Sequence, residues 1–200
     1  MNCKSTKPDH QTNDLYGVVT DYINKYRVSA RRELRFYAIQ KTLGETIKYA
    51  CLSLMPSGKR HYHQRRIPLV SLVEANRILQ ARLSDIQKCL IFAELHTLID
   101  KNINSIHRIG ELTVYDIAHR IGVKLGLEPD MIYLHAGTAQ AAKFLFPIKN
   151  MCTLSKMDLP KPFHCLKPYE IEDCLCIYKE NIKKIVQHAP PAGRGEAPRP

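Results

Sequence analysis

The stretch from residue 106 to residue 138, IHRIGELTVYDIAHRIGVKLGLEPDMIYLHAGT, constrains the fold more than any other part of the chain. Apolar residues recur there at three- and four-residue steps: Val114, Ile117, Ala118, Ile121 and Leu125. This spacing predicts a helix that begins near Leu112 or Thr113 and stops at Gly126. Polar side chains that are costly to bury are interleaved with them: Tyr115, Asp116, His119, Arg120, Tyr133 and His135. The stretch therefore predicts either a binding site or a polar core whose groups are all satisfied.

Helical periodicity continues through most of the chain and predicts an all-α protein, a compact multi-helix domain of about six or seven helices over residues 14–188. The predicted helices span about residues 30–54 (with a slip near Lys41), 68–103, 112–125, 139–146 and 168–186. Thr138 is the expected cap of the fourth of these helices. Strand signals are weak and are confined to residues 48–54 and 131–134.

The two ends of the chain differ from this domain in composition. Residues 1–13 are polar and without periodicity, which predicts a disordered arm, and residues 189–200, APPAGRGEAPRP, predict a flexible tail. No apolar run approaches the roughly 18 residues of a transmembrane helix, and the N-terminus lacks the core of a signal peptide. We therefore expect a cytoplasmic protein that does not associate with membranes. The cysteines number seven, mostly in apolar contexts, which predicts reduced thiols.

The formal charge of +11 at pH 7 is unevenly distributed. Residues 1–70 hold 13 Lys and Arg against 5 Asp and Glu, whereas the region around residues 106–138 is almost neutral. A positive field of this kind suits nucleic acid or an acidic protein partner. Any surface that contacts phosphate must therefore depend mainly on the first third of the chain.

The loop 59–66, KRHYHQRR, combines cations with an aromatic ring, the combination that binds phosphates and stacks bases. Its candidate nucleic-acid-binding residues are Lys59, Arg60, His61, His63, Arg65 and Arg66. An ordinary solvated loop is the competing interpretation. The pair His61 and His63 has no Cys or carboxylate at a diagnostic spacing, so we expect no metal site.

Residues 106–110, IHRIG, followed by Thr113 and a helix, resemble the helix-hairpin-helix element of the DNA glycosylase superfamily typified by endonuclease III. The resemblance covers about 30 residues. It implies that Arg108, Gly110 and Thr113 belong to a hairpin whose backbone N–H groups and helix N-terminus bind DNA phosphates. Arg108 replaces the first glycine of the motif, where φ is often positive, and arginine there costs strain. An ordinary corner between two helices is the alternative.

The catalytic residues of that family carry over only in part. Bifunctional members use a lysine directly after the hairpin, and Leu112 stands at this position, which excludes Schiff-base chemistry there. The family also uses a downstream aspartate, which makes Asp130 a candidate, although residues 128–130 equally suit a solvated turn. His135 is a second candidate, as a general base or a phosphate contact, with a core histidine as the alternative.

The wider block from Tyr115 to Gly137 also looks like a family of uncharacterised bacterial proteins with the pattern YDxAxRIG followed by YLHAG, from which no activity transfers. Within it, Asp116 and Arg120 have the spacing of an ordinary helical ion pair. Tyr115 and Tyr133 could stack an extruded base, but tyrosines with one wet edge are common in cores.

The chain contains no phosphate-binding loop, dinucleotide fingerprint, metalloprotease helix or nucleophile elbow, so we expect no cofactor. The leading prediction is a nucleic-acid-binding protein, with DNA as the expected ligand, related to base-excision proteins. If it is an enzyme, Asp130 or His135 would activate water. The alternative is a helical protein-interaction or regulatory module that docks an acidic partner and has no nucleic-acid activity.

Overall fold

The computed structural model describes residues 12–146 and 151–188. The predicted tail 189–200 and all but two residues of the predicted arm 1–13 lie outside the described residues. Within the described part the chain is mostly helical, which confirms the all-α prediction. The helices are α1 (Leu15–Tyr22), α2 (Val28–Ala38), α3 (Leu43–Cys51), α4 (Leu69–Ala81), α5 (Leu83–Gln87), α6 (Phe92–Ile103), α7 (Glu111–Leu125), α8 (Ala136–Leu145) and α9 (Pro168–His188).

Short elements complete the described fold. A π-helical turn, Ile23–Arg27, joins α1 to α2 without a break. Two short strands, β1 (Ile132–Tyr133) and β2 (Thr153–Leu154), pair antiparallel with Ile132 opposite Leu154. The 3-10 helices are Tyr62–Gln64, Lys156–Asp158 and Lys161–Cys165. The weak strand signal at residues 131–134 therefore marks β1, whereas most of residues 48–54 belong to α3.

The first predicted helix is two helices because a cap forms inside it. The Thr42 hydroxyl accepts a hydrogen bond from the Glu45 N–H, and the Glu45 carboxylate accepts one from the Thr42 N–H. This reciprocal cap satisfies two backbone donors and starts α3 with a new axis. The irregularity of the pattern near Lys41 was the sequence signal of this break.

The prediction of one long helix over residues 68–103 is wrong, because the chain turns twice within it. Arg82 leaves helical geometry between α4 and α5, and Ile91 is extended before α6, where the Glu94 carboxylate accepts a hydrogen bond from the Leu90 N–H. The apolar stripe survives both turns because Leu79, Ile86 and Leu95 are buried in the same core. Periodicity alone does not separate this arrangement from a continuous helix.

Two clusters of buried apolar side chains form the core. One cluster is built mainly from α3 to α7, and the other from α1, α8, α9 and the two strands. Helix α2 contacts α7 extensively, and α8 packs along α9. Consequently α2, α7, α8 and α9 meet where the two clusters adjoin.

Helix α7 has the bounds that its sequence predicts. Gly110 precedes it in an extended conformation, and the carbonyl of Gly110 accepts hydrogen bonds from the N–H groups of Thr113 and Val114. Gly126 ends the helix with φ 75°, the left-handed conformation that favours glycine. The preceding turn places Arg108 at φ 67°, so this arginine occupies the left-handed region in which a side chain is strained.

Helix α8 begins earlier than predicted. His135, in an extended conformation, is the residue before the helix, and Thr138 lies inside the first turn with its hydroxyl turned toward α9. The prediction that Thr138 caps this helix is therefore wrong. A hydrogen bond from the Thr138 hydroxyl to the Glu172 carboxylate replaces the expected capping bond.

None of the described helices has both the length and the apolar character required to cross a membrane. No disulfide links two of the six cysteines in the described part of the chain.

The chain that follows α7 passes so close to Gly122 that this position has no room for a side chain. A Cβ atom at this position would lie 2.6 Å from the Leu127 carbonyl oxygen, a backbone atom that cannot move aside cheaply. We expect Gly122→Ala to lower the free energy of unfolding by about 1–3 kcal/mol, measured by urea denaturation. Gly110→Ala is the matched control, because a Cβ there meets nothing within 4 Å. Equal stabilities of the two variants would contradict this account.

Candidate functional site

A partly enclosed cavity of about 220 Å³ lies where α2, α7, α8 and α9 meet. Helix α7 supplies one wall through Tyr115, Asp116, His119 and Arg120. These side chains share one face because they stand at positions i, i+1, i+4 and i+5, while the apolar residues of α7 face the first core cluster. Helix α7 is therefore buried on two faces: its apolar face packs in the first core cluster, and its polar face lines the cavity.

A hydrogen-bonded network surrounds the Arg120 guanidinium, which is 4% exposed. Its Nη1 donates to Gln64 Oε1 at 2.8 Å, and its Nη2 lies 3.7 Å from Asp116 Oδ2. The Cζ atom lies 5.5 Å from the centre of the Tyr37 ring. The Asp116 carboxylate also contacts the Gln64 side-chain amide at 2.8 Å and His63 Nε2 at 2.7 Å. This network binds the loop 59–66 to α7.

The pKa of Asp116 reflects this network. Burial alone would raise it, but the positive charge of Arg120 and the hydrogen bond with His63 outweigh burial and lower the pKa of Asp116 well below its usual range. Asp116 is therefore an anion at pH 7, and its partner cation is Arg120. The expected Asp116–Arg120 ion pair is present, and both side chains also contact residues outside α7.

The loop 59–66 is divided between surface and interior. Lys59, Arg65 and Arg66 are exposed. Arg60 instead holds the loop together, because its guanidinium donates to the backbone carbonyls of Ile67 and Arg65. Of the predicted nucleic-acid-binding residues, Lys59, Arg65 and Arg66 are therefore accessible at the surface, whereas Arg60 has a structural role.

His61 does not share that surface. It is 1% exposed, its Nε2 lies 2.8 Å from the Tyr37 hydroxyl, and its Nδ1 lies 3.3 Å from Glu33 Oε1. Burial, reinforced by the charge of Arg120, lowers the pKa of His61 to about 2. The structure therefore places His61 in the core as a neutral ring, away from any phosphate on the surface.

A second, more open depression adjoins the cavity at the turn before α7. It is lined by residues of the turn and of the loop 59–66, and it shares three lining residues with the cavity: His63, Leu112 and His135. Arg108, Gly110 and Thr113 all line this depression. The structure thus brings together four of the predicted nucleic-acid-binding residues: Arg108 and Gly110 from the turn, Thr113 from the first turn of α7 and His63 from the loop.

The two predicted catalytic residues lie in different environments. Asp130 is exposed on the connection between α7 and β1, and it lines neither the cavity nor the depression. His135 is 5% exposed and lines both. Its Nε2 lies 3.7 Å from Glu172 Oε1, and burial lowers the pKa of His135. His135 is therefore a neutral imidazole beside a carboxylate.

Helix α9 contributes two buried carboxylates that the sequence interpretation missed. Glu172 accepts a hydrogen bond from the Thr138 hydroxyl at 2.9 Å, and Asp173 accepts one from the Tyr22 hydroxyl at 3.2 Å. Burial, and then the neighbouring charge of Glu172, raise the pKa of Asp173. The run of alternating acidic and apolar residues at 169–175, YEIEDCL, was the available signal, but acidic residues on a helix ordinarily face solvent.

Aromatic rings line the α7 side of the cavity. The Tyr115 ring lies 5.0 Å from the His135 ring, 5.7 Å from the His119 ring and 5.2 Å from the Tyr133 ring, measured between centroids. Burial lowers the pKa of His119 to about 4, so this ring is neutral at pH 7. Tyr115 Oη, His119 Nε2 and His135 Nε2 are buried and have no hydrogen-bond partner. The wall is therefore aromatic with polar atoms available to a bound molecule.

No group of three or more His, Cys, Asp or Glu in the described residues is arranged to hold a metal ion. Neither a family model, nor a curated protein, nor a solved structure matches the chain. The resemblances noted from the sequence therefore stay predictions.

Removing the charge of Arg120 should destabilise the protein, because Asp116 would remain buried without its cation. We expect Arg120→Met to lower the free energy of unfolding by about 3–5 kcal/mol at pH 7, and addition of Asp116→Asn to recover part of that loss. Urea denaturation of the single and double variants measures both effects. Arg77→Met, at an exposed pair with Glu74, is the control and should change stability little. A double variant less stable than Arg120→Met would be inconsistent with this pairing.

Stability should fall as the pH is lowered from 7 to 5, in part because of His119. Its pKa is lower in the folded than in the unfolded protein, so the unfolded state binds protons first, and stability is lost between pH 6.5 and about 4. We expect His119 to account for about 2 kcal/mol of the loss between pH 7 and pH 5. His119→Gln should reduce the loss by that amount in urea titrations, and an unchanged loss would refute the assignment.

Proposed function

We propose that this protein binds DNA through the loop 59–66 and the turn before α7. The observation that carries the proposal is the shared depression, which is lined by His63 of the loop together with Arg108 and Gly110 of the turn and Thr113 of α7. Two segments that each have features of phosphate binding, about 45 residues apart in the chain, thus face one surface. That surface opens beside a cavity with buried polar groups.

The exposed charges of the loop 59–66 and of the turn before α7 favour a phosphate backbone, and Arg108 among them lines the depression. Lys59, Arg65, Arg66 and Arg108 are exposed cations. The start of α7 adds the positive end of a helix dipole and backbone N–H groups without intrahelical partners. Glu111 in the first turn opposes these contributions with one negative charge. The balance remains positive, as a polyanion requires.

The cavity gives the proposal its connection to base excision. An enzyme that acts on a base must take it out of the helical stack into a pocket, and here an aromatic-walled cavity adjoins the proposed phosphate contacts. Of the two catalytic candidates, His135 has the better position, because a neutral imidazole beside the Glu172 carboxylate can accept a proton from water. Asp130 would need to move to reach the cavity.

Fluorescence anisotropy of labelled single- and double-stranded DNA across a salt series tests the proposal. Wild-type binding should weaken log-linearly with salt. The variant Lys59→Ala/Arg65→Ala/Arg66→Ala should bind at least about tenfold more weakly, with the salt slope reduced by roughly 2–3, because each lost phosphate contact removes about 0.9 from the slope. Arg60 is retained because it supports the loop.

A matched control removes three exposed lysines that line neither the cavity nor the depression, as Lys88→Ala/Lys183→Ala/Lys184→Ala. This variant has the same net charge, and its DNA affinity should stay within about threefold of wild type. Equal weakening by the two variants would indicate attraction to overall charge without a defined surface. Absence of binding at low salt would refute the proposal and favour the acidic protein partner. If DNA binds, release of a base from damaged duplexes should be abolished by His135→Ala.

A further inference from the structure

Helix α4 presents an apolar stripe to solvent over its first two turns. The stripe consists of Leu69, Val70 and Val73, which are 58%, 73% and 48% exposed. At 3.6 residues per turn these three positions fall within an arc of about 100°. Leu72 and Leu79, on the opposite side of the helix, are buried in the first core cluster. Helix α4 therefore has one apolar face for the core and a second, shorter one that nothing in the described fold covers.

Exposed apolar side chains are concentrated around this stripe. Among the described residues, four of the twelve large apolar side chains that are exposed lie within residues 62–73: the three of the stripe and Tyr62. Single exposed apolar residues need no explanation, whereas a cluster marks a surface that another body covers. The stripe lines neither the cavity nor the depression. It stands on the outside of a helix, so the covering body must accommodate a convex surface.

The chain around the stripe is basic. Lys59, Arg65 and Arg66 are exposed and lead into α4. The one acidic residue from position 59 to position 81 of the sequence is Glu74, and its carboxylate accepts hydrogen bonds from the Arg77 guanidinium at 2.7 and 2.9 Å. A second copy of the chain placed on this face would bring like charges together, whereas an anionic body would complement them.

We infer that α4 and the loop 59–66 form a peripheral membrane-binding surface for an anionic lipid bilayer. The apolar stripe enters the boundary between headgroups and acyl chains, and Lys59, Arg65 and Arg66 contact the negative headgroups. Tyr62 suits the same interface, where aromatic rings with a polar edge are enriched. A phosphate backbone attracts the same cations but offers no apolar phase to the stripe.

This inference goes beyond the proposed function and does not depend on it. The expectation that the protein does not associate with membranes rested on the lack of an apolar run long enough to span one. A surface that lies in the headgroup region requires no such run, because only one face of a helix leaves water.

Cosedimentation of the full chain with lipid vesicles tests the inference. Vesicles of equal parts phosphatidylserine and phosphatidylcholine should bind at least about tenfold more tightly than phosphatidylcholine alone, because each basic residue near an anionic surface strengthens binding about fivefold. Val70→Gln/Val73→Gln keeps every charge and should weaken binding to the anionic vesicles at least about fivefold. Val28→Gln/Ile39→Gln changes two exposed aliphatic residues outside positions 59–81 and is the matched control, with binding within about twofold of wild type.

A tryptophan reporter separates insertion from attraction to headgroups. The chain contains no tryptophan, so a single introduced indole reports on its own surroundings. Emission from Val70→Trp should shift to shorter wavelength when anionic vesicles are added, because the indole leaves water for the interface. Emission from Val28→Trp should not shift. Binding of Val70→Trp without a shift would show that the stripe stays in water, and would overturn the inference.

The remaining outcomes distinguish other occupants of the stripe. Failure of the wild-type protein to bind anionic vesicles, or equal binding by folded Val70→Gln/Val73→Gln, would overturn the inference. A dimer in analytical ultracentrifugation that this variant converts to a monomer would assign the stripe to a second copy. Weaker DNA binding by the variant, with no vesicle binding by wild type, would assign the stripe to nucleic acid.

The vesicle and DNA experiments can fail separately. Val70→Gln/Val73→Gln retains all the cations of the loop 59–66, so its DNA affinity should stay within about twofold of wild type. Vesicle binding by a protein that does not bind DNA would support this inference and remove the proposed function. DNA binding without vesicle binding would overturn this inference alone.

Discussion

The buried charge of Arg120 is the constraint on which the rest of the structure depends. A guanidinium cannot lose its proton in a protein, so its burial requires compensation on every side. Asp116, the Gln64 amide and the Tyr37 ring supply it from α7, the basic loop and α2. These contacts fix the otherwise polar loop 59–66 against the cavity wall. The loop, which the sequence alone would also allow to be an ordinary solvated loop, is therefore part of the site.

The net charge of the whole protein and the charged side chains that line the cavity differ in sign. The protein is strongly positive overall, and the loop 59–66 and the turn before α7 expose cations, of which Arg108 lines the depression beside the cavity. Inside, Glu172 and Asp173 place two acidic side chains side by side, and burial together with the charge of Glu172 raises the pKa of Asp173. The histidines between the two regions are neutral at pH 7 where burial lowers their pKa, as for His119.

Sequence periodicity predicted the helical fold and the bounds of α7, because one apolar stripe and two glycines determine them locally. It failed over residues 68–103, where tertiary packing lets one stripe continue across two turns. The polar face of α7 could be identified from spacing alone. The burial of His61 and the α9 acids could not, since both depend on elements distant in the chain that cover them. The sequence around a charged residue does not reveal the distant partner that stabilises it when it is buried.

The order of elements along the chain has a consequence for synthesis. The first core cluster draws on residues 43–133, which are contiguous, and can be completed before α9 has been made. The cavity needs α9 for Glu172 and Asp173, which belong to the last helix of the described fold. Domains fold as their N-terminal parts emerge from the ribosome, so a nascent chain would hold a basic loop and a positive turn before the opposing acids arrive. The loop 59–66 and the turn before α7 would therefore take their places before α9 closes the cavity beside them.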